Sequence, residues 1–149
     1  MTERDDRGRP LRQILTLTPE ECWNRLRSQP VGRVVFVDSR GPVALPVNYV
    51  VDRDSVVFRT EATSSVLASS YAEQVSFEVD DYDATNRQGW SVLATGHVVP
   101  VTDPADLRHV EMLRVTPWAE GPRTSYLRLE VRAISGRRLV PDDAALPPP

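Results

Sequence analysis

The chain has 149 residues, a net charge of −3 and a hydrophobic fraction of 40%, which predicts one soluble globular domain with its own core. All 18 basic residues are arginines, so mechanisms that need a lysine amine, such as Schiff bases and Walker-A phosphate loops, are excluded. The acidic balance argues against nucleic acid as a partner. No apolar stretch predicts a membrane span or a signal peptide, so we expect a cytoplasmic protein.

Cysteine and histidine are too few to predict a metal centre. A single cysteine, Cys22, excludes a disulfide within the chain. His97 and His109 are twelve residues apart, which is not a recognised spacing for metal ligands. A thiol hydrolase built on Cys22 is disfavoured, because a buried cysteine more often acts as a small hydrophobic residue.

The distribution of proline, glycine and charge divides the chain into three parts. Residues 1–11 mix charges with glycine and proline, which predicts a flexible N-terminal arm. Residues 12–140 form the predicted folded domain. Residues 141–149 carry four of the thirteen prolines and predict a disordered tail.

Capping residues predict where helices begin. Thr18 and Glu21 have the spacing of a capping box, which starts a helix that ends before the Pro-Val-Gly segment at 30–32. Two shorter helices are predicted, one over residues 64–72 and one over residues 104–113 with Asp103 as its cap.

The segments between these helices favour β-structure, because they are rich in β-branched residues and alternate in polarity. Gly96 is a plausible bend point in the longest of them. Their spacing predicts a mainly β fold, a six-stranded antiparallel barrel rather than alternating βαβ units. The predicted strands cover residues 33–38, 43–51, 55–60, 74–81, 89–101 and 125–134.

One strand end has the composition of an anion site. The strand ends in Arg59 and Thr60, and the next helix begins with Ser64 and Ser65. The N-terminus of a helix offers unpaired N–H groups and a partial positive charge, so it binds phosphate readily. Spacing alone equally fits a plain helix cap at Thr63 or Ser64 beside a surface arginine, and that structural alternative is the more common one.

Five segments of the chain, taken in order, form a recognisable pattern: residues 46–51, 58–60, 77–80, 89–92 and Gly96. Together they resemble the pyridoxamine 5'-phosphate oxidase-like family of flavin-binding split β-barrels. Their order and spacing match over roughly residues 15–140, and residues 135–139 are also similar to the way these chains finish. The resemblance implies an FMN-binding split barrel that forms a homodimer with the flavin at its interface.

The resemblance also implies positions for the cofactor. The flavin ring would lie along a strand whose backbone amides bond the ring carbonyls and N5, and one tryptophan would reach the site from the partner. Each residue has a structural alternative, since the aromatic residues more often belong to a core or an interface, the asparagine can satisfy backbone groups and the valine would line any barrel. The implied residues are Val47, Asn48 and Tyr49 for the ring, Arg59, Thr60, Ser64 and Ser65 for the phosphate, and Trp90 from the partner.

One departure bears on the affinity for the cofactor. Family members commonly have Ser-Lys where this chain has Ser64-Ser65, and a hydrogen bond to a charged group contributes about 1.5–3 kcal/mol. The leading interpretation is an FMN-dependent oxidoreductase in which hydride moves through flavin N5, with no catalytic side chain assigned and the substrate unknown. The alternative is a non-catalytic split barrel that binds a flavin, deazaflavin or haem, or no cofactor. Trp90 and Trp118 exceed what a small barrel needs, which favours a homodimer.

Overall fold

A computed structural model of the chain describes residues 3–61, 74–121 and 124–141. Seven strands and two helices lie in these ranges. In chain order they are β1 (Arg12–Thr16), α1 (Pro19–Arg27), β2 (Val31–Asp38), β3 (Gly41–Asp52), β4 (Ser55–Thr60), β5 (Val75–Asp83), β6 (Gln88–Pro100), α2 (Pro104–Met112) and β7 (Ser125–Pro141).

Six of the strands form a closed ring of antiparallel pairs. The order is β7-β4-β3-β2-β5-β6, and β6 pairs again with β7. The long strand β7 closes the ring because it has two neighbours: residues 125–130 pair with β4, and residues 127–139 pair with β6. The predicted six-stranded antiparallel barrel is therefore confirmed.

A seventh strand lies outside the ring and was not predicted. β1 pairs with residues 137–141 of β7, which also makes β7 longer than the predicted strand over residues 125–134. Neither difference has a local signal in the sequence. The residues around Gly136 lack apolar alternation, and β1 is short with three exposed residues out of five. Only the pairing between the two ends of the chain reveals β1 and the extension of β7.

The helix starts agree with the capping residues. Before α1, the hydroxyl of Thr18 accepts a bond from the Glu21 amide at 3.2 Å, and the Thr18 amide donates to the Glu21 carboxylate at 2.7 Å. Before α2, the carboxylate of Asp103 accepts from the amide of Asp106 at 3.0 Å. The helix predicted over residues 64–72 lies outside the described residues. The tail predicted over residues 141–149 does so too, except for Pro141, which is the last residue of β7.

Two apolar clusters hold these elements together. The main core fills the barrel with side chains such as Phe58, Phe77 and Leu127, and α1 adds Cys22 and Leu26 to it. The second cluster lies on the outer surface of the barrel, between α2 and β4. It consists of four buried valines, one on β4, one on α2 and one on each side of α2: Val57, Val110, Val101 and Val115. Within the described residues, no helix is long and apolar enough to cross a membrane.

The bend in β6 generates a test of the fold. The β6–β7 register shifts between Thr95 and Gly96, and a Cβ at Gly96 would overlap the backbone carbonyl of Glu130. Because the backbone must move to relieve this overlap, we expect Gly96→Ala to lower the free energy of unfolding by about 1–3 kcal/mol. Ser135→Ala, an exposed control on β7, should change it by less than about 0.5 kcal/mol. Urea denaturation measures both, and equal stabilities would contradict the close approach.

Candidate functional site

The pairing between β3 and β4 ends before either strand does. β3 pairs with β4 only from Tyr49 to Asp52, while its residues 41–48 pair with β2. Among the described residues, no strand pairs with the other edge of β3 over residues 41–48. Beyond the last β3–β4 pair, Arg59 and Thr60 pair with Tyr126 and Ser125 of β7. The opening between β3 and β4, which we call the β3–β4 gap, is therefore bordered by backbone groups of β3 with no ladder partner in the described part of the chain.

A cation lies at the mouth of this gap. Val57 belongs to the outer cluster, and side chains alternate along a strand, so Arg59 lies on the same outer face. Its guanidinium carbon is 5.1 Å from the centroid of the Tyr126 ring, a cation–π distance. Asn48, next to the last β3–β4 pair, shares this face with Val50. The predicted residues Asn48 and Arg59 are thus brought together at the opening.

Asn48 has a structural function of its own. Its side-chain oxygen accepts a bond from the Trp118 amide at 2.8 Å, and its side-chain nitrogen donates to the carbonyl of Pro30 at 3.2 Å. This supports the interpretation that Asn48 satisfies backbone groups. The two bonds join β3 to the segment that precedes β2 and to the segment that follows α2.

The other predicted residues at the gap direct their side chains inward. Tyr49 is buried, its ring lies 4.8 Å from that of Phe77, and its hydroxyl donates to the carbonyl of Leu26. Burial raises the pKa of Tyr49 above the ordinary value for tyrosine. Val47 packs against the core and Thr60 is buried. The side chains of these three residues therefore do not face the gap. Ser64 and Ser65 lie outside the described residues.

Trp90 is not brought to the gap within one chain. It pairs with Arg138 near the end of β7, whereas Arg59 pairs with Tyr126 at its start. Twelve residues of strand separate these two partners, or about 40 Å along β7 at ~3.3 Å per residue. Trp90 instead lines a cleft of about 380 Å³, and its ring centroid is 5.3 Å from the guanidinium carbon of Arg25.

An ionic cluster beneath α2 was not predicted from the sequence. Arg128 donates to Asp52, Ser55 and Asp106, each at 2.7 Å. The ring nitrogen Nε2 of His109 lies 3.1 Å from both carboxylate oxygens of Asp52. Alternation along β7 indicates that Arg128 faces outward. Its carboxylate partners Asp52 and Asp106 are 76 and 22 residues away in the chain, so no local sequence pattern connects Arg128 with either of them. We call Arg128, Asp52, Asp106 and His109 the Arg128 cluster.

The Arg128 cluster lines the edge of a cavity of about 530 Å³. Partial burial opposes the ionisation of Asp52, but hydrogen bonds from Arg128 and His109 outweigh it and hold the pKa of Asp52 below its ordinary value. Arg128 thus forms ion pairs with Asp52 and Asp106, and Asp52 also contacts the His109 ring. In the described ranges, no group of three or more His, Cys, Asp or Glu side chains could hold a metal ion.

Known proteins share this architecture. A model of the pyridoxamine 5'-phosphate oxidase family matches residues 18–138. The chain is 34% identical over 136 residues to the uncharacterised protein Rv0080 of Mycobacterium tuberculosis, covering 88% of this chain and 89% of that protein. Its structure is similar to that of the FAD-binding protein of Mycobacterium smegmatis, with 34% identity, a TM-score of 0.69, and coverage of 83% of this chain and 96% of that one.

A conserved protein of unknown function from Corynebacterium diphtheriae is also similar. The identity is 34% and the TM-score is 0.72, with coverage of 85% of this chain and 98% of that one. The resemblance inferred from five short segments and the flavin-binding split-barrel fold are thus confirmed.

The low pKa of Asp52 leads to a prediction about acid stability. Its folded pKa lies below the unfolded value of about 3.9. Ionised Asp52 therefore stabilises the fold above that pH, and the contribution is lost as the pH falls through the folded pKa. We expect Asp52→Asn to lower the free energy of unfolding at neutral pH, and this difference from wild type to shrink below about pH 4.

Urea denaturation at a series of pH values measures the difference. Asp54→Asn, in the same turn and exposed, is the matched control and should follow wild type throughout. A difference for Asp52→Asn that stays constant from neutral to acid pH would contradict the ionic role of Asp52.

Proposed function

Because the chain belongs to the pyridoxamine 5'-phosphate oxidase family, we propose that it is an FMN-dependent oxidoreductase that binds the flavin at the β3–β4 gap. The observation that carries the proposal is the edge of β3 over residues 41–48, which has no partner strand in the described part of the chain and lies beside Arg59. Bound FMN would supply hydride transfer through N5, to or from a small molecule. The predicted location in the cytoplasm is part of this proposal.

The residues at the gap fit the two ends of FMN. Flavin ring carbonyls and N5 need hydrogen-bonding partners, and the edge of β3 at Val47 and Asn48, next to the Tyr49–Phe58 pair, can provide them. The phosphate needs a cation, and the guanidinium of Arg59 matches its geometry. In this proposal Thr60, Ser64 and Ser65 complete the phosphate site. With serine at position 65 and no lysine anywhere in the chain, more of the affinity falls on Arg59.

We also propose that the active form is a homodimer. The β-sheet register aligns Ile14, Leu139, Gly89 and Tyr82 in one row across β1, β7, β6 and β5. The three side chains of this row are 62%, 41% and 75% exposed, an apolar surface next to Trp90 that a second copy would cover. Packing of this row against a partner would carry Trp90 to the partner's β3–β4 gap, which it does not reach in its own chain.

FAD is a second candidate cofactor, and one observation favours it. The FAD-binding protein of Mycobacterium smegmatis is 34% identical to this chain over most of its length. Serine at position 65 favours a further alternative, a non-catalytic carrier of a flavin, deazaflavin or haem, or an empty barrel.

The absorbance spectrum of the purified protein separates a flavin protein from a haem protein or an empty barrel. Extraction of the cofactor followed by chromatography separates FMN from FAD. Bleaching of bound flavin by a nicotinamide cofactor then separates an oxidoreductase from a carrier.

The phosphate contact can be tested at Arg59. Arg59→Ala removes a charge-assisted contact of about 1.5–3 kcal/mol, so we expect FMN affinity to fall by roughly 10- to 150-fold. Riboflavin, which lacks the phosphate, should bind wild type and variant about equally. Arg59→Lys should recover only part of the loss, because an ammonium lacks the bidentate fork. Fluorescence titration measures all three proteins, and equal FMN affinities would remove Arg59 from the phosphate site.

The dimer can be tested at the exposed row. We expect wild type to sediment at twice the chain mass of 16.7 kDa at micromolar concentration, with an interface of over about 2,000 Å². Tyr82→Asp places a charge in the row and should shift the protein towards monomer while lowering flavin affinity. Val37→Asp, at an exposed apolar position on β2, is the control and should remain dimeric. A wild-type protein that sediments as a monomer would refute the shared site.

A further inference from the structure

The outer faces of β3, β4 and β7 carry three parallel rows of side chains beneath α2. The first row lies at the β3–β4 gap, the second is mainly apolar and the third is polar. The β-sheet register defines the second row as Val50, Val57 and Arg128 and the third as Asp52, Ser55 and Glu130. The first row consists of the Arg59–Tyr126 pair together with Asn48, which lies one residue beyond the last β3–β4 pair.

Helix α2 is attached to two of these rows. Val110 is fully buried against the second row, in the cluster that contains Val57. Polar contacts attach α2 to the second and third rows: Asp106 accepts from Arg128 of the second row, and His109 contacts Asp52 of the third. The side chains of Arg128 and Asp52 are only 15% and 11% exposed, so the bond between them is more shielded from water than a surface ion pair.

The segment that follows α2 reaches the first row. Val115 is buried in the outer cluster, and three residues later the amide of Trp118 donates to the side chain of Asn48. Asn48 lies where β3 has lost β4 as its partner, so its side-chain bonds hold this part of the β3 edge in place of a β-ladder. The Arg128 cluster and the gap are therefore joined by one continuous stretch of chain.

We propose that the Arg128 cluster is a positioning element of the cofactor site: it holds α2 so that the Trp118 amide fixes Asn48 at the edge of the β3–β4 gap. The inference rests on the proposed function, because it concerns the same site. Arg128 acts through α2 and Asn48, with no contact of its own to the cofactor. Loosening the cluster frees the segment over residues 113–118 and releases the β3 edge, which lowers flavin affinity while the barrel core stays intact.

The first test needs no flavin. Arg128→Met should accelerate hydrogen exchange at the Trp118 amide by about tenfold or more, because this amide is protected by its bond to Asn48. Arg33→Met is the matched control: Arg33 also bridges two carboxylates, Glu78 and Asp80, but on β2 and β5. It should leave exchange at Trp118 unchanged. Unaltered exchange in Arg128→Met would overturn the proposal.

The second test is a double-mutant cycle on flavin affinity. Arg128→Met should weaken flavin binding by about 2- to 30-fold, and Arg33→Met should not. Asn48 and Arg128 are roughly 12 Å apart, given two strand spacings and one row, so unrelated effects would multiply within a factor of about two. We expect the double variant with Asn48→Ala to be no weaker than the weaker single variant. Multiplying effects would overturn the proposal.

Two further outcomes separate this inference from the function on which it depends. If Arg128→Met does not fold, Asp106→Ala removes the contact between Arg128 and α2 and leaves Arg128 bonded to Asp52 and Ser55, and the same exchange and affinity results are expected of it. A wild-type protein that binds no flavin refutes the proposed function and the positioning role together. A wild type that binds flavin, with Arg128→Met matching Arg33→Met, refutes the positioning role alone.

Discussion

The length of β7 is the constraint on which the rest of the molecule depends. This strand of 17 residues pairs with β4 at its start, with β1 at its end and with β6 along most of its length. It closes the ring, and it also keeps Arg59 of β4 and Trp90 of β6 apart, because they pair with opposite ends of β7. The proposed homodimer would bring the two groups together in a site shared between two copies.

The complete replacement of lysine by arginine shapes how this chain uses positive charge. Arg59 lies over Tyr126 and Arg25 over Trp90, while Arg128 serves three acceptors on three elements. A planar guanidinium can stack on a ring and still donate in its own plane, and it can divide its donors among several acceptors. An ammonium is a compact point charge and does neither as well. The arginines in these contacts therefore fix the relative positions of the side chains around them, in addition to supplying charge.

Local patterns predicted the parts of the fold that local physics determines. The capping box of Thr18 and Glu21 and the alternation of Val75, Phe77 and Val79 are complete within a few residues, so the sequence displays them. β1 and the end of β7 depend on a pairing between opposite ends of the chain. At the candidate site, the resemblance predicted roles for Asn48 and Arg59, which stay predictions, whereas the Arg128 cluster joins side chains from β3, β7 and α2. Its partners become neighbours only after the barrel has closed, and for that reason it could not be predicted.

Alternation along β3 explains how an edge that has no partner strand in the described part of the chain is held in position. The side chains of residues 48 and 49 lie on opposite faces of the barrel wall, so each face contributes one bond to this part of the strand. On the inside, the Tyr49 hydroxyl donates to the carbonyl of Leu26 in α1; on the outside, the Asn48 side chain accepts from the amide of Trp118, which follows α2. A rigid edge loses little conformational entropy when a ligand binds, so these two side chains would favour the flavin binding proposed for this edge without contacting the ligand themselves.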